Sequence, residues 1–384
     1  MLYRKYRPKT FAEVVGQEHV VKILQAELAK GKVSHAYLFS GPRGSGKTTV
    51  ARLLAKAVNC ADLPAKSLAS AGASADSDNL NVEPCNICPI CSEFNAGKSL
   101  NLIEIDAASN RGIDEIRELR DGVKFSPGSG NFKVYIIDEA HQLTKEAFNA
   151  LLKTLEEPPE HAIFILATTE IDKVLPTIIS RTQHFHFRRL RPSEIVSRLS
   201  IIAEKEKRIV EPKAFLIIAR SAGGAVRDAE SIFGQVLNIT EGGITSEHVR
   251  QILALPNEEL TQAIASSFYK KDTSLALGLI RTLIDEGRDI NRFTSHLIST
   301  FRTLLFMKVD TEAEKVLSGD YTNEELKDFR LLAGLFTERE LRGIMLTLID
   351  ALGNMHYSPF PFLALELASI EIISRLKAAG KKEE

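Results

Sequence analysis

The chain has 384 residues, 44% hydrophobic and 26% charged, enough at roughly 150 residues per domain for two or three domains with cores of their own. A formal net charge of -1 offers nucleic acid no global attraction, so DNA contact would need a local basic surface or one formed by assembly. No run reaches the roughly 18 apolar residues that cross a bilayer, and the opening MLYRKYRPKTF lacks the apolar stretch of a signal peptide; a cytoplasmic location is expected.

The first half alternates short apolar runs with helical periodicity, which predicts a parallel sheet with helices crossing over it. The first predicted strand is Ala36–Ser40. Directly behind it, Gly41-Pro42-Arg43-Gly44-Ser45-Gly46-Lys47-Thr48 fits the phosphate-loop pattern G-x-x-x-x-G-K-[ST], and a helix opens through Thr49. Glycines let the backbone curl so that several N–H groups point at phosphate oxygens, and the helix N-terminus adds positive potential. Lys47 is expected on the β- and γ-phosphates and the Thr48 hydroxyl on Mg²⁺. Residues 41–49 are therefore the candidate cofactor-binding loop for ATP.

The helix ends near Cys60, and Cys85-x₂-Cys88-x₂-Cys91 follows after an Ala/Ser/Asp-rich stretch at 63–81 that reads as a surface insertion. In a reducing compartment such a cluster reads as metal ligands sooner than as disulfides. A tight trio of this kind cannot easily form disulfides within itself. With Cys60 it makes a closed four-thiolate set suited to structural Zn²⁺; an iron–sulfur cluster is the rival.

Strands are next predicted at Leu102–Asp106 and Lys133–Asp138, and the second runs into Glu139. The carboxyl ends of parallel strands form the ligand crevice, so Asp138 is expected to hold Mg²⁺ and Glu139 to orient the attacking water. Phe148, Leu151, Leu152 and Leu155 then mark a helix with Thr144 as N-cap, stopped by Pro158-Pro159. Strands are expected at 162–167 and 183–187. Beyond 188 the pattern is helical: Ile195, Leu199 and Ile202, then 214–219, then 226–236, with Glu241-Gly242-Gly243 as a linker before a long helical region. His184 and His186 share one strand face, but with no third ligand in view an ordinary structural role is expected, as it is for His141.

At this point a family resemblance becomes specific. The run YIIDEAHQLTKEAFNALLKTLEEPP from Tyr135 to Pro159, with Ala167-Thr168-Thr169-Glu170, Ile179-Ser180-Arg181 and the opening LYRKYRPKTFAEVVGQEHV, resembles the gamma/tau ATPase family of bacterial DNA polymerase III clamp loaders, of AAA+ type. The resemblance also covers 106–111 and weakens beyond about 235. It implies that Thr169, or its neighbour Thr168, is the polar sensor of the γ-phosphate. It implies that Arg181 is an arginine finger toward a neighbouring subunit's ATP, although Thr182 stands where the family usually has Cys. Arg227 matches a second sensor, while Arg7, Pro8, Val14 and Val15 match the adenine pocket. The family carries the same cysteine trio with an upstream partner. Arg111 and Lys145 are candidate phosphate contacts to DNA.

The expected architecture is an α/β AAA+ P-loop core over 1–178 with a zinc insertion at 60–91, a helical lid over 179–243, and an all-α collar over 244–378. The expected function is ATP-driven opening and loading of a sliding clamp onto primed DNA, in a hetero-oligomer with delta- and delta-prime-type subunits. Another AAA+ DNA motor of branch-migration type, or a scaffold that binds ATP without hydrolysing it, are the competing readings.

Overall fold

The computed structural model describes residues 1–63, 82–109, 112–240, 242–253, 255, 258–310, 312–317, 319, 321–355 and 358–380. Arg111, Glu241 and nearly all of the 63–81 insertion lie outside the described residues. Two units result, one of Met1–Ile202 with Ser221–Gly234 and one of Ala203–Arg220 with Gln235–Glu384.

The first unit is built on a parallel sheet of β1 (Ala36–Ser40), β2 (Leu102–Asp106), β3 (Lys133–Asp138), β4 (Ala162–Thr168) and β5 (Gln183–His186), in the order β2-β3-β4-β1-β5. Side chains alternate across it as the pleat requires. Tyr37, Phe39, Val134, Ile136, Ile163 and Ile165 face one core, which includes residues of α2 (Glu18–Lys30) and α3 (Lys47–Asn59). Leu38, Tyr135, Ile137, Phe164 and Leu166 face the other, shared with α5 (Ile113–Val123) and α6 (Lys145–Glu156). Being covered on both sides explains why β1 and β4 are apolar almost throughout and wholly buried. Each buried Leu, Ile or Phe contributes roughly 1.5–3 kcal/mol. The edge strands β2 and β5 are only partly covered, and both carry charged or polar residues.

Short α1 (Leu2–Lys5), α4 (Pro89–Ala96) and α7 (Pro176–Ile179) complete this unit together with parts of α8 (Pro192–Lys205) and α10 (Val226–Ile239). Thr144 caps α6 as its sequence predicts, its hydroxyl accepting from the Ala147 N–H at 3.2 Å. Strand register sets the site. Asp106 pairs with Asp138 and Ser40 with Thr168, so the carboxyl ends of the inner strands finish at one rim. Strand β4 runs one residue past the expected 167, and β5 stops one short of 187; the Phe187 N–H still donates to the Ser40 carbonyl at 2.7 Å.

The second unit is helical. It holds α9 (Pro212–Ser221), α11 (Ser246–Ile252), α12 (Glu258–Tyr269), α13 (Thr273–Asp285), α14 (Ile290–Val309), α15 (Ala313–Leu317), α16 (Asn323–Gly334), α17 (Glu338–Met355) and α18 (Pro361–Gly380). Its core includes Ile280, Phe301, Leu304, Leu348 and Ile373, with Phe301 stacked on Phe268 at 5.9 Å and set edge-on to Phe336 at 6.0 Å. Among the described residues no helix is long and apolar enough to cross a membrane.

Candidate functional site

The loop leaving β1 curls as its glycines permit. Gly41 has φ +143°, and a Cβ there would stand 2.2 Å from the Phe187 carbonyl oxygen. Gly44, at φ +75°, would press a Cβ to 2.8 Å from that of Ala225, so a side chain at either position would open the loop. Its far edge is pinned by Val226, whose N–H donates to the Gly44 carbonyl at 3.2 Å, and by Ser45, whose hydroxyl donates to the Pro42 carbonyl at 2.8 Å.

Lys47 opens α3 and is only 6% exposed. Its ammonium folds back onto the loop, donating to the carbonyls of Gly41 at 2.7 Å and Pro42 at 2.9 Å. Burial depresses its pKa below the usual lysine range, while Glu139 and Asp138 pull the other way. Across the crevice the Thr48 hydroxyl donates to Asp138 Oδ2 at 2.8 Å, and Asp138 Oδ1 accepts from the Glu139 N–H at 3.0 Å. Glu139 stands at φ +49°, a left-handed conformation uncommon outside glycine, which turns it sharply off the end of β3.

Thr169 donates to Glu139 Oε2 at 3.0 Å, whereas Thr168 is fully buried and bonds His141 Nδ1 at 3.0 Å. Of the two sensor candidates, therefore, Thr169 is the one that touches the acid pair. The His141 ring also lies 3.5 Å from Glu139 and 3.3 Å from Glu170. His141 is thus packed against the back of the acid pair.

Lys47, Thr48, Asp138 and Glu139 face a cavity of about 410 Å³, within the range typical of ligand sites, whereas Thr169 stands behind Glu139 and does not line it. Arg7, Pro8, Val14 and Val15 line one wall, and Arg43, Ser45, Gly46, Lys47, Thr48, Thr49, Asp138, Glu139 and Arg227 also face it. Gly41 and Pro42 contribute through their carbonyls to Lys47.

Several lining or supporting residues were missed by sequence reasoning. Tyr3 lines the cavity and carries the Arg227 guanidinium over its ring, 4.8 Å from the centroid. Arg198 and Glu230, each 6% exposed or less, pair at 3.0 Å, and Arg198 also bonds the Tyr6 carbonyl. Gln17 is buried behind the loop and donates to the carbonyls of Ser45 at 3.2 Å and Arg188 at 2.9 Å. No local motif announces these pairings, since their partners lie far along the chain.

Arg181 does not line this cavity. Its guanidinium pairs with Glu156 at 2.7 Å and donates to the Thr177 carbonyl at 2.9 Å, on a partly exposed face. Lys145 is exposed at the start of α6. His184 and His186 do share a face, and both meet the Ser40 hydroxyl, at 2.7 and 3.4 Å.

The four cysteines converge. Cys60, Cys85, Cys88 and Cys91 place their sulfurs within 4.8 Å of one another, and three of the four are buried. Backbone N–H groups of Cys85, Cys88 and Cys91 point at the sulfurs of Cys60, Cys85 and Cys88 at 3.3–3.4 Å. A tetrahedral ion with bonds of about 2.3 Å sets neighbouring sulfurs about 3.8 Å apart. The separation of Cys85 and Cys91 is 3.9 Å. The donor set therefore fits a closed zinc site with small adjustments.

Residues 16–191 match the family described as DNA polymerase III, delta subunit, and 194–242 the DNA polymerase III clamp loader subunit, ATPase lid domain. The chain is 41% identical to the DNA polymerase III subunit tau of Bacillus subtilis over 97% of its own length and 62% of that protein's. It is 32% identical to the DNA polymerase III subunit gamma of Buchnera aphidicola from Acyrthosiphon pisum, covering 98% of this chain and 99% of that one. Among solved structures, the Thermotoga maritima RuvB Holliday junction branch migration motor aligns at 20% identity and a TM-score of 0.45, over 68% of this chain and 78% of that one.

Proposed function

Since the chain belongs to the DNA polymerase III gamma/tau subunit family, we propose that it is the ATP-hydrolysing subunit of a cytoplasmic clamp loader, which opens a sliding clamp and places it on primed DNA. The chain spans 62% of the length of the Bacillus relative. Its partners in this reading are delta- and delta-prime-type subunits, the clamp and primed DNA. Its parts are a core over 1–178, a lid over 179–243 and a collar over 244–378.

The observation that carries the reading is the Thr48–Asp138 contact of 2.8 Å, beside a buried Lys47 that reaches the loop carbonyls. In this reading the N–H groups of residues 41–49 and the Lys47 ammonium take the phosphates. Thr48 and Asp138, both hard oxygen donors, would hold Mg²⁺, which would neutralise charge on the phosphates. Glu139 leaves Thr169 to orient the attacking water, and Thr169 then meets the γ-phosphate. Phosphoryl transfer rests on such positioning and charge neutralisation. Arg227 leaves the Tyr3 ring for the same phosphate, and Arg181 serves the neighbouring subunit's nucleotide. Arg7, Pro8, Val14 and Val15 hold the adenine. Cys60, Cys85, Cys88 and Cys91 hold a structural zinc ion, with no coordination position left for water.

The test is loading of a labelled clamp onto primed DNA by the reconstituted assembly. Lys47→Ala is expected to abolish ATP-dependent loading while the folded chain still joins the assembly. Loading at the wild-type rate would refute the proposal.

A further inference from the structure

Between the two stretches of N-terminal chain that line the cavity, Arg7-Pro8 and Glu13-Val14-Val15, lies a short segment held by the cysteine module. Both carboxylate oxygens of Glu83 are used there: Oε2 accepts from the Phe11 N–H at 2.6 Å and Oε1 from the Ala12 N–H at 2.8 Å. Gln25 donates to the same Oε1 at 3.2 Å and to the Val82 carbonyl at 3.3 Å. Two residues back, the Lys9 carbonyl accepts from Lys56 Nζ at 2.7 Å and Asn86 Nδ2 at 3.1 Å. Lys56 also donates to the side-chain oxygens of Asn86 at 2.6 Å and Asn95 at 3.0 Å. Phe11, 1% exposed, packs in the same core as Cys60, Cys88 and Cys91.

The sequence positions of these clamps matter. Glu83 and Asn86 flank Cys85, Asn95 shares α4 with Cys91, and Lys56 precedes Cys60 by one turn of α3. The chain that ligates the metal is thus the chain that grips 9–12. A charged acceptor spanning two consecutive backbone N–H groups fixes the local path more firmly than neutral bonds do.

We propose that Glu83 is a positioning residue that ties the metal-loaded cysteine cluster to the nucleobase wall of the cavity, so that metal occupancy and adenine-nucleotide affinity are coupled. This rests on reading the cavity as an ATP site and the cluster as a zinc site. Coupling of this kind is reciprocal: whatever factor zinc adds to nucleotide affinity, nucleotide adds to zinc affinity.

The test uses the purified zinc-loaded chain and isothermal titration with two probes, ADP and inorganic tripolyphosphate. Tripolyphosphate engages the loop around Lys47 but has no base to meet the 7–15 wall. Glu83→Ala is expected to weaken ADP about tenfold, the scale of losing charge-assisted bonds, and to leave tripolyphosphate within about twofold. A chelator competition supplies the second readout: ADP tightens zinc in the wild type and ceases to do so in Glu83→Ala.

Should Glu83→Ala lose its zinc outright, Glu83→Gln decides. It keeps one acceptor and the side-chain shape, and an ADP loss smaller than about tenfold with tripolyphosphate binding unchanged supports the proposal. Wild-type ADP affinity in either zinc-loaded variant, or equal losses for both probes, overturns it. A wild-type chain that binds no ADP, or no zinc, instead removes the corresponding reading of the site and the proposal with it.

Discussion

In the first unit the charged and polar groups at the carboxyl ends of β1, β3 and β4 are bonded to one another: Lys47 to loop carbonyls, Thr48 to Asp138, Thr169 to Glu139. In the proposed reading each exchanges that partner for a phosphate, a cation or a water. In the second unit the buried polar groups are held differently. Glu325 takes Arg220, the Thr322 N–H and Lys213 around one carboxylate, and the helical core nearby is aromatic and aliphatic. The first arrangement can exchange partners, and the second is complete as it stands. Polar groups poised for chemistry are thus those whose present bonds are interchangeable with a ligand's, and burial alone does not identify them.

The sharpest way to break this contrast is Arg181, which is parked on Glu156 and the Thr177 carbonyl and lines no wall of its own cavity. If it serves a neighbour, Arg181→Ala lowers the ATPase rate of the assembled loader by about 10³, the low end for an arginine supplied in trans. ADP affinity of the isolated chain stays within about twofold. Mixed assemblies complete the measurement: the lost rate must track the position of the variant subunit. A defect equally large in the isolated chain would place Arg181 in its own site and undo the assignment.

That case also marks where the sequence was readable. The strand-loop-helix around 36–49 and the acids ending β3 were legible because backbone chemistry ties glycine, lysine and carboxylate to fixed local spacings. The sheet was legible for a different reason: short, nearly continuous apolar runs such as β1 and β4, separated by helical periodicity, are what strands covered on both faces require. Telling Thr169 from Thr168 required the geometry, since Thr168 ends β4 and bonds His141 while Thr169, one residue on, meets Glu139. Tyr3, Gln17, Arg198 and Glu83 stayed silent, because each acts on a residue far along the chain: Arg227, Ser45, Glu230 and Phe11 respectively. Composition and periodicity carry no trace of such pairings.

A second prediction sharpens the contrast from the side of the helical unit. Phe301 is fully buried between Phe268 and Phe336. Phe301→Ala is expected to destabilise that unit by about 3–5 kcal/mol through lost burial and the cavity left behind. All residues lining the cavity around Lys47 belong to the first unit, so in the proposed reading ADP affinity measured below the melting temperature should not change. A matching loss of ADP binding in the folded variant would mean that the helical core sets the cavity's shape.

The smallest effect concerns Glu325 itself. Burial alone would raise its pKa, but the hydrogen bond and charge of Arg220 outweigh burial and hold it below the ordinary glutamate value of 4.5. Arg220 lies over the Tyr321 ring as well, 4.1 Å from its centroid, so the guanidinium is fixed from two sides. A carboxyl whose folded pKa is depressed binds fewer protons folded than unfolded. Its contribution is complete above the unfolded value and is lost as pH falls through the folded one. Glu325→Gln keeps the shape and cannot titrate, so it should cost roughly 1–2 kcal/mol near neutral pH, as expected for a bond to a charged partner. The gap in melting temperature between variant and wild type should then narrow steadily below pH 4.5. A gap that stays constant into that acid range would show that Glu325 holds Arg220 by shape and hydrogen bonding alone, leaving its charge without a part in the second unit's stability.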